Sequence, residues 1–255
     1  MTIAKKGTVY LVGAGPGDPE LLTRKAAGLL ETADIIYHDD LVSSEVLAVA
    51  HGRALIISVG KRCGAKRVTQ TEINQKLVES ARRGLSVVRL KSGDPLIFGR
   101  AGEEIAALKA AGIEYEVVPG ISSAIAAAAT VGVSLTIRDA ASSVLLVTGH
   151  HADKPDPDLP PTRVVYMPGS DLAPLAEKWL AEGLSPETPC VLVSRVSRPD
   201  QTIVRTTLAE LGRAKAPNSP AVLLAGWALE SDSFAAQFPN LVETETGPRL
   251  QTSDL

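Results

Sequence analysis

Three glycine-bearing segments have the residue types to hold a polar ligand, and each follows a run of strand-forming residues. The first, Gly13-Ala14-Gly15-Pro16-Gly17-Asp18-Pro19, comes after the β-branched and apolar run Thr8 to Val12 and before a helical pattern that starts near Thr23. The second, Lys91-Ser92-Gly93-Asp94-Pro95, comes after Ser86 to Leu90 and leads into Phe98-Gly99-Arg100 and Glu103-Glu104. The third, Pro119-Gly120-Ile121-Ser122-Ser123, comes after Tyr115 to Val118. In an open α/β sheet, ligands bind outside the carboxyl ends of the strands, so these turns are expected to converge on one crevice. The common phosphate loops do not fit. A dinucleotide fingerprint needs glycine where Asp18 stands, and Pro16 stiffens the turn that should approach a pyrophosphate. Gly60-Lys61 is followed by Arg62, not by the serine or threonine of a phosphate loop. Flexible backbone without a cationic grip suits a ligand that is polar but not strongly anionic. Adenosine bearing an amino-acid tail fits better than a nucleoside triphosphate.

The elements around these loops follow from periodicity. Asp34 to His38 and Ala54 to Ser58 are apolar runs of strand length, and the helix from Thr23 places Ala26, Leu29 and Leu30 on one face. Thr69 with Glu72 forms a capping box, continued by Ile73, Leu77 and Ala81 as an amphipathic helix. Arg100 to Ala111 and the alanine-rich Ile121 to Thr130 read as helices, with Gly132 to Ser142 a connection. A second series has strands at Val144 to Thr148, Arg163 to Met167, Cys190 to Ser194, Thr202 to Thr206 and Ala221 to Ala225. Helices at Leu172 to Ala181 and near Leu208 to Ala214 intervene, and the proline-rich His151 to Pro161 is a loop. Strand and helix alternate, so the class is α/β: two α/β domains with mostly parallel, mixed sheets. The expected boundaries are an N-terminal domain at 1–118, a connecting helix and linker at 119–143, a C-terminal domain at 144–239 and a flexible polar tail at 240–255.

Composition narrows the class further. The 255 residues are 45% apolar and carry 26 Lys plus Arg against 29 Asp plus Glu, a net charge of −3. That balance argues against nucleic-acid binding as the main task, because such domains carry a basic surplus. Cys63 and Cys190 share no spacing with histidines, so neither a metal site nor a disulfide framework is expected. No apolar run reaches the roughly 18–20 residues of a membrane helix, and no hydrophobic region follows the N-terminal lysines. A cytoplasmic protein without a membrane partner is expected.

Taken together, several stretches resemble the uroporphyrinogen-III C-methyltransferases of the tetrapyrrole methylase superfamily. They are Val9 to Asp18, Leu21-Leu22-Thr23, Gly60-Lys61-Arg62, Gln70-x-Glu72-Ile73-Asn74, Val87 to Pro95, Phe98-Gly99-Arg100, Glu103-Glu104, Val118 to Ile121, Leu135-Thr136 and Thr148-Gly149-His150. The similarity runs from about residue 7 to residue 228. The resemblance implies two α/β domains with an active-site cleft between them, and a homodimer. It implies S-adenosyl-L-methionine as methyl donor, S-adenosyl-L-homocysteine as by-product, and methylation of uroporphyrinogen III at C2 and C7 to precorrin-2. By position, it places cofactor contacts on Pro16, Ser92, Gly93, Asp94, Ile97, Ser122, Ser123, Met167, Val196 and Ala225. It places an acid–base pair on Asp39 and Lys61, and substrate or catalytic contacts on Arg100, Glu103, Arg138, His150 and Met167.

The residue types suit that chemistry. Attack of an electron-rich pyrrole carbon on a sulfonium methyl leaves a cationic ring that must lose a proton, and a carboxylate such as Asp39 can stabilise the one and accept the other. Arginine grips carboxylates with two parallel bonds, which suits Arg100 and Arg138 to a polycarboxylate. Arg100 moreover begins a helix, where a cation opposes the helix dipole unless a ligand compensates it. Two departures bear on the substrate side: Asp40 puts a second acid beside Asp39, and Ile137 replaces a histidine common in the family. Rival readings are another methylase of the superfamily, acting on a later precorrin or on a non-tetrapyrrole such as a modified translation-factor histidine, a non-catalytic S-adenosylmethionine-binding protein, and a nicotinamide dehydrogenase.

Overall fold

The computed structural model describes residues 2–50, 52–60, 68–138, 141–146, 161–214 and 220–230. The chain divides into two compact units, Met1–His150 and His151–Leu255. The first contains β1 (Val9–Gly13), α1 (Arg24–Thr32), β2 (Ile35–His38), α2 (Ser44–Leu47), β3 (Leu55–Ser58), α3 (Gln70–Arg82), β4 (Val87–Lys91), α4 (Ala101–Ala110), β5 (Tyr115–Val118) and α5 (Ser123–Thr130). The second contains β6 (Arg163–Tyr166), α6 (Ala173–Ala181), β7 (Pro189–Ser194), β8 (Thr202–Thr207) and β9 (Ala221–Ala225).

The first sheet has strand order β3-β2-β4-β1-β5, and every pairing in it is parallel. Central strands of such a sheet are covered on both faces, and β1 and β4 are buried at every position. The two-residue period of a strand sorts their side chains. Tyr10, Val12, Ile36, Val88 and Leu90 join Ala26, Leu29 and Leu30 of α1 in one core. Val9, Leu11, Ile35, Tyr37 and Val87 join Leu77 of α3 and Leu108 of α4 in another. Each fully buried leucine contributes roughly 1.5–3 kcal/mol relative to exposure. Thr23 caps α1 by accepting from Ala26 N, and both halves of the capping box on Thr69 and Glu72 are present at α3. The carboxyl ends of β1, β4 and β5 therefore lie side by side on one sheet edge.

The second unit has a four-stranded sheet of order β6-β9-β7-β8, antiparallel in all its pairings. Leu172, Trp179, Leu192, Leu208, Leu211 and Leu223 form its core. The mixed character of the fold is thus a parallel sheet in one unit and an antiparallel one in the other. Two expected elements differ. The helix near Leu208 to Ala214 is only a 3-10 turn, Leu211–Arg213. Gly212 lowers helix propensity there and sits close against Ala173, while the tight turn still lets Leu208 and Leu211 both reach the core. Val144 to Leu146 joins no strand and is exposed, and residues 147–148 lie outside those described. An apolar run becomes a strand only where a sheet edge receives it. No described helix is long and apolar enough to cross a membrane.

Asp34 ties the start of β2 to the turn before β4. Its carboxylate accepts from Ser86 N (2.7 Å) and Ser86 Oγ (2.6 Å) and pairs with Lys6 Nζ (2.5 Å). Partial burial pushes the carboxyl up, but the bonds from Lys6 and Ser86 outweigh it and hold the pKa at about 2. A carboxyl depressed in the folded state stabilises the fold above its unfolded pKa of about 3.9, and that stability is lost as pH falls through the folded value. Urea midpoints of the wild type and Asp34→Asn should therefore differ most above about pH 4 and converge as the pH approaches 2. A gap that did not change with pH would mean the carboxylate's charge adds nothing.

Candidate active site

The three glycine segments meet backbone to backbone. Gly15 N donates to Gly93 O (3.2 Å), Gly93 N donates to Gly15 O (2.8 Å), and Ala14 N donates to Lys91 O (2.8 Å). A Cβ on Gly13 would stand 2.5 Å from Gly120 N; one on Gly120 would stand 2.2 Å from Gly93 O and 2.8 Å from Gly13 Cα. No side chain fits at Gly13 or Gly120, whereas Gly93 has room for a Cβ but sits at φ 66°, a left-handed backbone that favours glycine. Asp94 fastens the arrangement: Oδ1 accepts from Leu96 N (2.8 Å) and Oδ2 from Gly120 N (3.0 Å). Asp18 shapes the first loop by accepting from Glu20 N (2.9 Å). Around this cluster Ser92, Asp94 and Ser122 are half-buried, and Pro16, Ile97 and Ser123 are exposed. Ser122 makes no side-chain bond to the end of α5, so the amide donors of that terminus are not capped from within.

The region fits an adenosyl group with an amino-acid tail. It offers backbone groups and glycine hollows, and its acid Asp94 accepts from two backbone amides. The cations at its base, Arg89 and Lys91, are buried and paired rather than arrayed for a polyphosphate.

Asp39 follows β2 on the same edge. Arg89 NH2 forms an ion pair with its Oδ1, and Lys91 Nζ lies 3.9 Å from its Oδ2. Glu104 balances both cations: its Oε1 is 3.0 Å from Arg89 Nε and 3.0 Å from Lys91 Nζ, and it accepts from Gln70 Nε2 at 3.3 Å. The side chains of Arg89, Lys91 and Glu104 are 2%, 3% and 0% exposed, against 32% for Asp39. Burial, joined by repulsion from Arg89, pushes the Lys91 ammonium below its ordinary range, with Glu104 and Asp39 opposing. Arg89, Lys91 and Glu104 belong to family-like stretches, yet sequence reasoning gave them no role. The available signal was that two cations on one face of a fully buried central strand require a buried anion.

Asp40 turns elsewhere, its Oδ1 accepting from Ser58 Oγ (3.1 Å), while Gly60 comes so near that a Cβ there would stand 2.3 Å from Asp40 Cγ. Arg100 caps α4 from a left-handed backbone (φ 56°) and binds Glu103 through two parallel bonds of 2.7 Å. The bond to Glu103 raises the pKa of the guanidinium further. Arg138 is exposed in the turn closed by the Ile137–Ala141 bridge, and no described contact joins it to Arg100 or Asp39. Lys61 and His150 lie outside the described residues.

In the second unit, Met167 follows β6 and Val196 follows β7, at the same end of the sheet, where Met167 N donates to Ala221 O (3.2 Å). Ala225 is buried and pairs with Arg163 and Cys190 at the other end of β9, about 13 Å away by strand rise. The structure thus brings Met167 and Val196 together without Ala225. Left-handed non-glycine residues gather at these sites: Phe98 and Arg100 in the first unit, and Met167, Arg195 and Ser197 in the second. Such backbone costs of order 1–3 kcal/mol per residue and concentrates at functional sites. Composition and spacing did not disclose it.

Ligand loops on the carboxyl edge of a parallel sheet, beside a buried charge cluster, define an α/β enzyme-like site rather than a structural module. The chain belongs to the family described as tetrapyrrole (corrin/porphyrin) methylases, whose profile matches residues 8–212. The siroheme synthase of Psychrobacter sp. (strain PRwf-1) is 45% identical over 230 residues, which are 86% of this chain and 47% of that protein. Siroheme synthase 1 of Yersinia enterocolitica is 43% identical over 248 residues, 94% of this chain and 52% of that protein. The chain spans about half the length of these curated relatives. Among solved structures, a uroporphyrin-III C-methyltransferase of Thermus thermophilus is 39% identical, with a TM-score of 0.52 over 94% of this chain and 98% of that one. A cobalt precorrin-4 methyltransferase of cobalamin biosynthesis is 32% identical, with a TM-score of 0.53 over 88% and 96%.

The contact of the strand ends can be tested by adding one methyl group. Gly120→Ala should destabilise the protein by about 1–3 kcal/mol in urea denaturation, because backbone on both sides would have to move. Gly102→Ala, in α4 with open space around it, should be neutral or stabilising by up to about 1 kcal/mol.

Proposed function

We propose that this chain transfers methyl groups from S-adenosyl-L-methionine to C2 and C7 of uroporphyrinogen III, yielding precorrin-2 and S-adenosyl-L-homocysteine. The observation that carries the reading is the convergence of the loops after β1, β4 and β5 in one cluster, with Asp39 on the same sheet edge. Family membership and the 39% identity to the Thermus thermophilus uroporphyrin-III C-methyltransferase support the choice of substrate.

The donor supplies an electrophilic methyl on sulfur; the chain positions and screens. Ser92, Gly93, Ser122 and Ser123 line the loops that would hold it, with Pro16 and Ile97 at the rim. Asp94 serves chiefly by clasping two of the loops, since both its oxygens are taken by backbone amides. Met167 and Val196 carry further contacts on this reading. Asp39 keeps a solvent-facing carboxylate to stabilise the methylated ring and accept its proton, with Lys61 as acid–base partner. Arg100 binds a substrate carboxylate by exchanging its bonds to Glu103, and Arg138 and His150 complete the substrate contacts. A homodimer acting in the cytoplasm belongs to the same reading and rests on the family resemblance.

Incubation with anaerobically prepared uroporphyrinogen III and methyl-labelled donor should add two methyl groups by mass. Methylation of a later precorrin only would favour that neighbouring activity, and tight donor binding without turnover would leave a binding protein. Arg100→Ala should raise KM for the porphyrinogen about tenfold or more, the loss of one charged hydrogen-bonding partner. Calorimetry with S-adenosylhomocysteine should be nearly unchanged. Equal loss of both would make Arg100 a structural residue.

A further inference from the structure

The buried charges behind Asp39 are an expensive way to hold a fold together. Ions removed from water lose much of their solvation, and a buried ion cluster is often no more stabilising than apolar side chains of the same volume. What such a cluster supplies is geometry. Arg89 is held at three points: Nε to Glu104, NH1 to Leu90 O (3.2 Å) and NH2 to Asp39. The first two bonds use groups that belong to the sheet and to α4, which leaves the third nitrogen aimed at the one partly exposed member of the cluster. Lys91 spans the same pair of carboxylates, and its Cε lies 3.2 Å from where a Cβ on Gly99 would stand, one residue before Arg100. Glu104 receives Gln70 from α3 as well, and its Oε2 has no hydrogen-bond partner among the described residues.

We propose that Glu104, acting through Arg89 and Lys91, is a positioning residue that fixes the direction of the Asp39 carboxylate relative to the ligand loops. Glu104 sits too deep to touch any ligand, being 0% exposed. Its single bonded oxygen gathers the two cations, and these in turn take one oxygen each of Asp39. Without it, two like-charged groups would face each other across a buried space and seek other partners. Asp39 would then keep its chemical identity but lose its aim, and a misplacement of even about 1 Å at a reacting group is enough to cost about a hundredfold in rate.

The proposal rests on the reading of Asp39 as the carboxylate that serves methyl transfer, and a double-mutant cycle separates the two. Wild type, Asp39→Asn, Glu104→Gln and the double variant are compared by kcat, by KM for uroporphyrinogen III and by calorimetric affinity for S-adenosylhomocysteine. Glu104→Gln should lower kcat tenfold or more, with KM and by-product affinity within about twofold of wild type. In the Asp39→Asn background it should add little, because the group it positions is already altered. Arg89→Lys, which keeps the charge but has a single nitrogen in place of the three that reach Glu104, Leu90 O and Asp39, should show the same pattern and serves if Glu104→Gln does not fold. Independent, multiplying losses in the cycle, or by-product affinity falling in step with kcat, would overturn the positioning role while leaving Asp39 in place. Wild-type turnover by Asp39→Asn would overturn the reading of Asp39, and the positioning role with it.

Discussion

Three strand ends that touch without intervening side chains set the terms for the rest of the first unit. Parallel strands lie about 4.8 Å apart, and the chain leaving each carboxyl end normally diverges to make room for side chains. Here Gly13 and Gly120 remove that need, and Gly93 supplies a left-handed turn (φ 66°) that sets its carbonyl against them. The exits of β1, β4 and β5 stay in contact, and their peptide groups face a common region. The parallel sheet makes this possible, because it brings the carboxyl ends of adjacent strands to one edge. The helices make it rigid: α1 covers one face, and α3 and α4 the other, with the central strands wholly buried between them.

The same edge carries a second constraint of opposite character. The glycine cluster is made of backbone groups and clasped by Asp94, whereas Asp39, Arg89, Lys91 and Glu104 form a charged, side-chain-made cluster beside it. Their formal charges sum to zero, two cations against two anions, so the group can be buried without a net charge in low dielectric. Only Asp39 reaches toward solvent. A ligand at the glycine loops would therefore meet the carboxylates of Asp94 and Asp39 and cations that are already paired. That suits a sulfonium donor, whose positive charge disappears as the methyl leaves, and it would suit a polyphosphate poorly.

How far the sequence disclosed this depends on whether a feature is local. Strands with clear apolar runs were readable: Tyr115–Val118 and Ala221–Ala225 match their expected bounds, and the Thr69–Glu72 capping box is present atom for atom. Convergence of the three loops was readable too, because alternation of strand and helix forces strand ends to one edge. The antiparallel order of the second sheet was not, since pairing partners are chosen by contacts distant in sequence. Val144 to Leu146 had the composition of a strand but no sheet to join, and Leu208 to Ala214 the pattern of a helix but Gly212 inside it. At the site, the types of Asp39 and Arg100 suggested chemistry, but the partners that orient them did not show. Glu104 lies 15 residues from Arg89 and Arg89 lies 50 from Asp39, so no window of sequence contains the network.

Motifs that mark a family need not mark its ligand contacts, and this chain separates the two uses. Gln70-x-Glu72-Ile73-Asn74 serves the fold: Glu72 caps α3, Ile73 is core, Asn74 donates to Glu103 O (3.3 Å) and Gln70 to Glu104. It thereby docks α3 on the first turn of α4, the turn that carries both the buried Glu104 and the exposed Glu103 bound to Arg100. Gly60 likewise serves by closeness to Asp40 rather than by any group of its own. Asp94, which the family pattern assigns to the cofactor, spends both oxygens on backbone amides. A single helical turn thus joins the two sides of the site, one side chain reaching inward to the charge cluster and its neighbour outward to the arginine fork.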